Sequence, residues 1–241
     1  MEFETIESPA CVQVAHEGRN YKFWGANQWL ILRQLRALKT FYELELLEYL
    51  RGAVPNPDVI VDVGANVGNH TVYFSQVMQA QSVISLEPHH QCFDALGANC
   101  KENGCNNVTG LFCGASAELE KRFPDYSLCN QSLPDQGYNV GATRFSTKKT
   151  YAQTTDVQFI PIDGILEQAS GNITLIKVDV EGMEMDVLRG ATKTIRTQRP
   201  WIVLEIADRN TTPFQDQLRD THTMVERSFN HTPTWVFKPN A

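Results

Sequence analysis

The sequence lacks the features of a membrane or secreted protein. Its 241 residues contain no run of about 18 apolar residues, so no membrane span is predicted. The first four residues include two glutamates, and no apolar stretch of signal-peptide length follows them. The six cysteines form no C-x-x-C pair, which argues against a zinc knuckle or redox motif and favours reduced thiols. We therefore expect a cytoplasmic protein.

The sequence also has little positive charge. Lys and Arg number 21 against 28 Asp and Glu, which gives a formal net charge of −7. Nucleic-acid binding draws most of its affinity from cations that neutralise phosphates. The charge therefore argues against nucleic acid as a partner and favours a small or uncharged acceptor. Hydrophobic residues make up 42% of the chain, enough to bury a full core.

The chain length fits one domain with an N-terminal extension. Residues 10–25 hold two alternating runs around a glycine turn, which is typical of a β-hairpin. Residues 27–50 carry apolar residues at helical spacing, with a break near Lys39. We expect a hairpin and helices over residues 1–52, packed on a main domain over residues 53–241.

In the main domain, short apolar runs alternate with helical segments. This alternation predicts a doubly wound, mostly parallel α/β sheet with helices on both faces. The predicted strands cover residues 59–63, 82–86, 108–113, 159–162, 173–180, 201–206 and 235–237. The predicted helices cover residues 71–78, 92–101, 185–195 and 214–229.

The alternation fails over residues 123–155, where Pro, Gly and polar residues are frequent. A compact domain rarely carries so long an irregular segment without a function. We predict that this segment covers the pocket for the substrate that accepts the transferred group.

The turn after the first predicted strand of the main domain is rich in glycine. Its spacing is G-x-N-x-G, whereas a dinucleotide turn has the spacing G-x-G-x-x-G and brings amides to a pyrophosphate. The turn suits a ligand without phosphate, whose ammonium meets an aspartate and whose carboxylate meets backbone amides. S-adenosylmethionine is such a ligand. The predicted cofactor-binding residues here are Asp62, Gly64, Ala65, Asn66, Gly68 and Asn69. Alternatively, the glycines only let the helix and strand approach closely.

An acidic residue ends the second strand of the predicted sheet. Glu87 and Pro88 follow the strand directly, and in nucleoside-binding α/β domains a carboxylate at this position accepts hydrogen bonds from ribose hydroxyls. Glu87 and Pro88 are therefore predicted to contact the cofactor. The alternative interpretation of Glu87 is a solvated charge at a strand end. His89 and His90 come next, but adjacent histidines seldom face one ligand, so no metal site is predicted.

Three charges alternate at the end of the strand over residues 173–180. With a period of two, Lys177, Asp179 and Glu181 point to one face of a strand that is otherwise apolar. Ligands of open α/β sheets bind at the carboxyl ends of strands, so these residues are the candidate catalytic group. We predict that Asp179 is the general base, tuned by Glu181 or Lys177, and that it also borders the cofactor. The alternative is a structural ion pair between Lys177 and Asp179.

Several of these segments resemble the signature stretches of the FkbM-type methyltransferases. They are residues 61–68, 175–184 and 187–191, with residues 41–45 resembling the segment that precedes the sheet in that family. The resemblance covers roughly residues 41–206.

The resemblance implies a class I, Rossmann-like methyltransferase fold, S-adenosylmethionine as cofactor, and O-methylation of a sugar or natural-product hydroxyl. It also implies that Glu43 or Glu45 lies near the methionine end of the cofactor. The turn after the third strand departs from the common class I pattern because it lacks an acidic residue at the strand end. Gly114 and Ala115 are the candidate cofactor contacts there.

Three other functions are compatible with parts of the sequence. A nicotinamide-dependent oxidoreductase would share the sheet, but the glycine spacing of a dinucleotide turn is absent. A nucleic-acid methyltransferase is opposed by the acidity of the chain. A binding or scaffold protein could keep the cofactor pocket without turnover, and the charged end of the strand around Asp179 argues against it.

Overall fold

The N-terminal hairpin and helices form as the sequence predicts. The computed structural model of the protein describes residues 9–125, 139–149, 155–165, 170–206 and 210–240. Strand β1 (Pro9–His16) pairs antiparallel with β2 (Arg19–Ala26). Helices α1 (Leu30–Leu38) and α2 (Leu44–Ala53) follow, and α1 ends at Leu38 because Lys39 has a left-handed φ of 57°. The boundary between the N-terminal extension and the main domain at residue 52 stays a prediction.

The remaining strands form a large and a small sheet. In chain order they are β3 (Val59–Val63), β4 (Ser82–Leu86), β5 (Val108–Leu111), β6 (Gly114–Ala115), β7 (Glu120–Asp125), β8 (Arg144–Ser146), β9 (Val157–Ile160), β10 (Ile173–Val178), β11 (Trp201–Glu205), β12 (His222–Phe229) and β13 (Thr234–Pro239). The large sheet has the order β12-β13-β11-β10-β3-β4-β5, and β13 alone runs antiparallel to the other six strands. The predicted doubly wound, mostly parallel sheet is confirmed.

In the described part of the main domain, five helices follow the strands. They are α3 (Asn69–Gln76), α4 (His90–Glu102), α5 (Glu184–Gly190), α6 (Thr192–Gln198) and α7 (Thr212–Leu218). The single helix predicted over residues 185–195 is in fact α5 and α6, which divide at Ala191. Gly190 packs so closely on the backbone of Ser116 that a Cβ would overlap its carbonyl oxygen. No helix among the described residues is both long enough and apolar enough to cross a bilayer.

The helix predicted over residues 214–229 is wrong beyond its first turns. Helix α7 ends at Leu218, and β12 then pairs antiparallel with β13. The register of this pair shifts between Met224 and Ser228. Such an irregularity interrupts the alternation of apolar and polar residues that would mark a strand, so the segment carries no clean period of two.

The irregular segment over residues 123–155 contains part of the small sheet. This sheet has the order β6-β9-β7-β8. The strand predicted at residues 159–162 is β9, and it belongs to this sheet rather than the large one. Residues 126–138 and 150–154 of the segment lie outside the described residues.

Two asparagines of α4 join the N-terminal hairpin to the main domain. The side chain of Asn99 accepts from Trp24 N at 2.6 Å and donates to Trp24 O at 3.1 Å. Asn103 makes the same pair of bonds with the backbone of Lys22, at 3.0 and 2.7 Å. These bonds satisfy backbone groups of β2 that would otherwise form an open strand edge. The hairpin is therefore held in a fixed position against α4.

Candidate active site

A cavity of about 370 Å³ opens at the carboxyl ends of β3, β4, β10 and β11. This volume lies in the range of small-molecule sites. The predicted site residues that line it are Glu43, Gly64, Asn66, Glu87, Pro88, Gly114, Ala115, Asp179 and Glu181. The predicted residues outside its lining are Asp62, Ala65, Gly68, Asn69 and Lys177. The structure thus brings together side chains from five separate stretches of the sequence at the sheet edge where ligands of α/β proteins bind.

The glycine turn after β3 lets two strand ends approach each other. Gly64 has a φ of +76°, and a Cβ there would overlap the carbonyl oxygen of Asp179. Gly68 has a φ of +88°, and a Cβ would lie 2.7 Å from Leu96 Cδ1 of α4. Gly64 therefore forms the cavity wall, whereas Gly68 serves the close packing of α3 and α4.

Replacing Gly64 should destabilise the protein by more than the cost of backbone strain alone. Gly18 in the hairpin turn has the same φ of +76°, but a Cβ added there would meet nothing within 4 Å, so it is a matched control. Gly18→Ala should cost about 1–2 kcal/mol for the left-handed conformation. Gly64→Ala should cost about 1–3 kcal/mol more because its methyl group overlaps Asp179. Urea unfolding measures both, and equal losses would contradict the close approach.

Glu87 is buried in the cavity wall and held by the backbone. Its side chain accepts hydrogen bonds from Asn66 N and His89 N, both at 2.7 Å. The residue is 6% exposed, and burial raises the pKa of Glu87 to about 7 despite these two bonds. Two fixed amide donors orient the carboxylate, so its remaining lone pairs are available to a ligand in the cavity.

Asn66 offers a second polar group at the same wall. Its φ of +50° is left-handed, a conformation that asparagine tolerates better than most residues. Its Oδ1 atom is buried and has no hydrogen-bond partner among the described residues. A buried acceptor without a partner is costly, which indicates that a ligand donor completes this part of the cavity.

Asp62 and Lys177 lie beneath the cavity as a buried ion pair. They are register neighbours on β3 and β10, and Lys177 Nζ is 3.3 Å from Asp62 Oδ1. Thr71 Oγ1 donates to Asp62 Oδ2 at 2.6 Å, and Lys177 Nζ also donates to Gly64 O at 3.0 Å. Burial alone would lower the pKa of Lys177, but Asp62, Asp179 and Glu43 outweigh it and raise the pKa above its ordinary value.

Asp179 reaches the cavity from the end of β10. Its Oδ2 atom is 3.3 Å from Lys177 Nζ, and 41% of its side chain is exposed. Burial would raise the pKa of Asp179, but Lys177, Glu205 and His70 together hold this pKa below its ordinary value. Asp179 is therefore ionised at neutral pH, with its charge facing the cavity.

Glu205 is a cavity residue that the sequence prediction missed. It ends β11 next to Asp179, and burial together with the charge of Asp179 raises the pKa of Glu205 to about 10. The sequence did contain a sign of this site, because Glu205 follows the apolar residues of its strand in the same way that Glu87 follows those of β4. Strand β11 lacks a glycine turn beside it, so nothing marked this charge as part of a site.

Glu43 enters the cavity from the segment between α1 and α2. Its side chain is 9% exposed, and its Oε2 lies 3.2 Å from His70 Nε2. Asn69 fixes this segment because it accepts from Tyr42 N at 3.1 Å and donates to Tyr42 O at 3.0 Å. Asn69 therefore positions the Glu43 segment, and His70 is buried beside it.

Glu181 lies past the end of its strand. Strand β10 ends at Val178, so the predicted alternation through Glu181 stops before it, and Gly182 N donates to Val180 O in the turn that follows. Glu181 is an exposed residue at the cavity rim.

The described part of the irregular segment reaches the cavity. Asn139, Val140, Gly141, Thr143 and Phe145 contribute to its lining. Gly141 lies over the glycine turn, where a Cβ would be 2.8 Å from the side-chain nitrogen of Asn66.

The two adjacent histidines do not share a site. His89 is buried and caps α4 through Nδ1, which accepts from Cys92 N at 3.4 Å. His90 is exposed and lies 3.3 Å from Asp94. No group of three His, Cys, Asp or Glu side chains in the described part of the chain could hold a metal ion.

The sheet order and the cavity at the carboxyl ends define a class I, Rossmann-like methyltransferase fold. The crystal structure of methyltransferase FkbM from Methylobacillus flagellatus KT has this fold, with a TM-score of 0.53 and 18% identity over 93% of this chain and 56% of that chain. The methyltransferase FkbM domain matches residues 62–232. The chain belongs to the FkbM methyltransferase family.

Two relatives carry names that state a substrate. The chain is 26% identical over 204 residues to the hexuronic acid methyltransferase AglP of Haloferax volcanii, covering 83% of this chain and 75% of that protein. It is 29% identical over 174 residues to the 31-O-demethyl-FK506 methyltransferase FkbM of Streptomyces tacrolimicus, covering 63% and 66%. The chain spans 59% to 61% of the length of two further methyltransferases that it matches.

Proposed function

We propose that the protein transfers a methyl group from S-adenosylmethionine to a hydroxyl of a sugar or natural-product type of small molecule. The observation that carries the proposal is the arrangement of two carboxylates in one cavity. Glu87, fixed by two backbone amides, can bind ribose hydroxyls, and the ionised Asp179 can receive a proton. The family and the names of the two relatives support this reaction class.

The cavity residues fit the parts of the cofactor. Glu87 offers lone pairs to the ribose hydroxyls, and the unpartnered Asn66 Oδ1 offers an acceptor to a polar donor beside them. Gly114 and Ala115 line the wall beyond β5, where the base would lie, and Glu43 carries negative charge suited to the cationic methionine end. When bound, the cofactor supplies an electrophilic methyl group.

Three of the predicted site residues do not contact the ligand in this proposal but position the residues that do. Asp62 has both carboxylate oxygens directed at Thr71 and Lys177 rather than at the cavity. Lys177 holds Asp62, Asp179 and the carbonyl of Gly64 in one place. Asn69 holds the backbone ahead of Glu43. We therefore propose that they position the residues that contact the ligand.

The proposed chemistry is positioning followed by proton removal. Methyl transfer from a sulfonium is a displacement in line with the acceptor oxygen, so most of the rate comes from orientation. Asp179 is a weak base in the ground state, and it accepts the hydroxyl proton as the new bond forms. Leu30 and Ile31 of α1 and the segment around Phe145 line the cavity and are proposed to hold the acceptor.

Glu87→Gln should weaken the binding of S-adenosylhomocysteine. The variant keeps the shape but loses the charged acceptor, and hydrogen bonds to charged groups contribute about 1.5–3 kcal/mol, which is roughly 10- to 150-fold in Kd. Because the pKa of Glu87 is about 7, the carboxylate ionises as pH rises, so affinity in the unmodified protein should increase from pH 6 to pH 8. Isothermal titration calorimetry measures both effects.

Glu226→Gln makes the same chemical change on the exposed face of β12 and should leave Kd and its pH dependence unchanged. Unaltered affinity in Glu87→Gln, with an unaltered melting temperature, would remove Glu87 from the cofactor site. If neither S-adenosylmethionine nor S-adenosylhomocysteine binds the unmodified protein, the proposed function is wrong.

A further inference from the structure

We propose, building on the proposed function, that Asp179 and Glu205 form one proton-exchanging unit. The unit releases a proton when the cationic cofactor enters the cavity, and it takes up the acceptor's hydroxyl proton during methyl transfer. Glu205 thereby becomes a further residue of the reaction, beyond those that the sequence motifs indicate.

The register of the sheet places these two carboxyl groups side by side. Strands β10 and β11 are parallel, and Val178 pairs with Leu204. Asp179 and Glu205 each lie one residue past this pair, on neighbouring strands, and the charge of Asp179 raises the pKa of Glu205. Both line the same cavity.

The surroundings of the pair set its charge. Glu43 and Tyr42 line the cavity beside the pair from the segment ahead of α2, and Thr232 lines it from the turn before β13. Lys177 and His70 lie on the side of Asp179. Three carboxyl groups thus surround the same space, with Lys177 shared between Asp62 and Asp179. One proton on Glu205 relieves the repulsion between like charges, so the pair carries a single negative charge at neutral pH.

A cation in the cavity changes this balance. A sulfonium beside Asp179 and Glu205 stabilises the doubly ionised pair and displaces the proton of Glu205 to solvent. The Asn66 Oδ1 atom, buried and without a partner among the described residues, independently indicates that a ligand donor occupies this cavity.

The transfer step then returns a proton to the pair. The acceptor oxygen forms a bond to the methyl carbon while the carbon–sulfur bond breaks and leaves its electron pair on sulfur. The sulfur becomes neutral, so the doubly ionised pair loses its counter-charge and its proton affinity rises. The hydroxyl proton of the acceptor moves to the pair, which restores the protonated Glu205 of the free protein.

Proton counting by calorimetry tests this unit without turnover. S-adenosylmethionine and S-adenosylhomocysteine are each titrated at pH 8 in two buffers of different ionisation enthalpy. At this pH Glu87, with a pKa of about 7, is already mostly ionised and contributes little. For S-adenosylmethionine, the unmodified protein should release about one proton more than Glu205→Gln does, because only a titratable Glu205 can lose it. For S-adenosylhomocysteine, which lacks the sulfonium charge, the two proteins should differ much less.

Glu226→Gln is the matched control and should release as many protons as the unmodified protein. Infrared difference spectra of the unmodified protein give a second readout that needs no variant: the carbonyl band of a protonated carboxylic acid should weaken when S-adenosylmethionine binds. Equal proton release by the unmodified protein and Glu205→Gln, or an unchanged carboxylic acid band, would overturn the proposal while leaving the proposed function intact. Absence of S-adenosylmethionine binding would overturn both.

Discussion

Asp179→Asn is expected to lower kcat by about 10²- to 10⁴-fold, the usual contribution of a general base. The substitution is nearly isosteric, and Asp179 N keeps its hydrogen bond to Val63 O at 3.1 Å. Lys177 retains Asp62 and the carbonyl of Gly64 as partners, so no buried charge is left unpaired. Affinity for S-adenosylhomocysteine and the melting temperature should change little. Single-turnover assays, calorimetry and thermal unfolding measure the three quantities.

Asp94→Asn provides the control for this change. Asp94 is an exposed aspartate on α4, paired only loosely with His90, and its replacement should affect neither turnover nor stability. Full activity in a stable Asp179→Asn variant would remove Asp179 from the mechanism and leave Glu181 or Glu205 as the candidate base. Early melting instead would indicate that Asp179 is mainly a structural partner of Lys177.

Lys177→Met is expected to destabilise the protein by about 3–5 kcal/mol, the cost of leaving one member of a buried ion pair without its partner. The stranded charge is Asp62, which is 0% exposed and, among the described residues, keeps only Thr71 as a hydrogen-bond donor. Asp179 is far less affected because 41% of its side chain is exposed and water can solvate it. Chemical unfolding of the purified variant measures the loss.

The two possible partners of Lys177 can be separated by double variants. Adding Asp62→Asn to Lys177→Met removes the buried charge and should restore most of the lost stability, whereas adding Asp179→Asn should restore little. In the sequence, an ion pair of Lys177 with Asp179, two residues away on the same strand, was the alternative to a catalytic role of Asp179. Rescue by Asp179→Asn alone would favour that assignment over the cross-strand pair with Asp62.

The central strands could be predicted from sequence because their signals are local. Strands β3 and β4 have the predicted bounds, since each is a short, mostly apolar run that is buried on both faces. The strand β12 could not be predicted, because it forms only by pairing with β13 across an irregular register. The helical spacing of Phe214 and Leu218 correctly predicted α7, but it does not indicate where the helix ends.

Site residues that belong to a local sequence motif could be predicted. Contacts that depend on which strands become neighbours in the sheet could not. Gly64 and Glu87 follow strands directly, so their positions at the carboxyl edge follow from chain order alone. The contact of Asp62 with Lys177 and that of Asp179 with Glu205 depend on which strands become neighbours and in which register. Periodicity within one segment carries no information about either.

The most direct test of the central claim is a crystal structure of the protein with S-adenosylhomocysteine. We predict the ligand in the cavity at the carboxyl ends of β3, β4 and β10, with its ribose hydroxyls bonded to Glu87 and its sulfur on the side of Asp179. Ligand density elsewhere, or a cavity that stays empty at saturating ligand concentration, would contradict the assignment of this cavity as the methyl-transfer site.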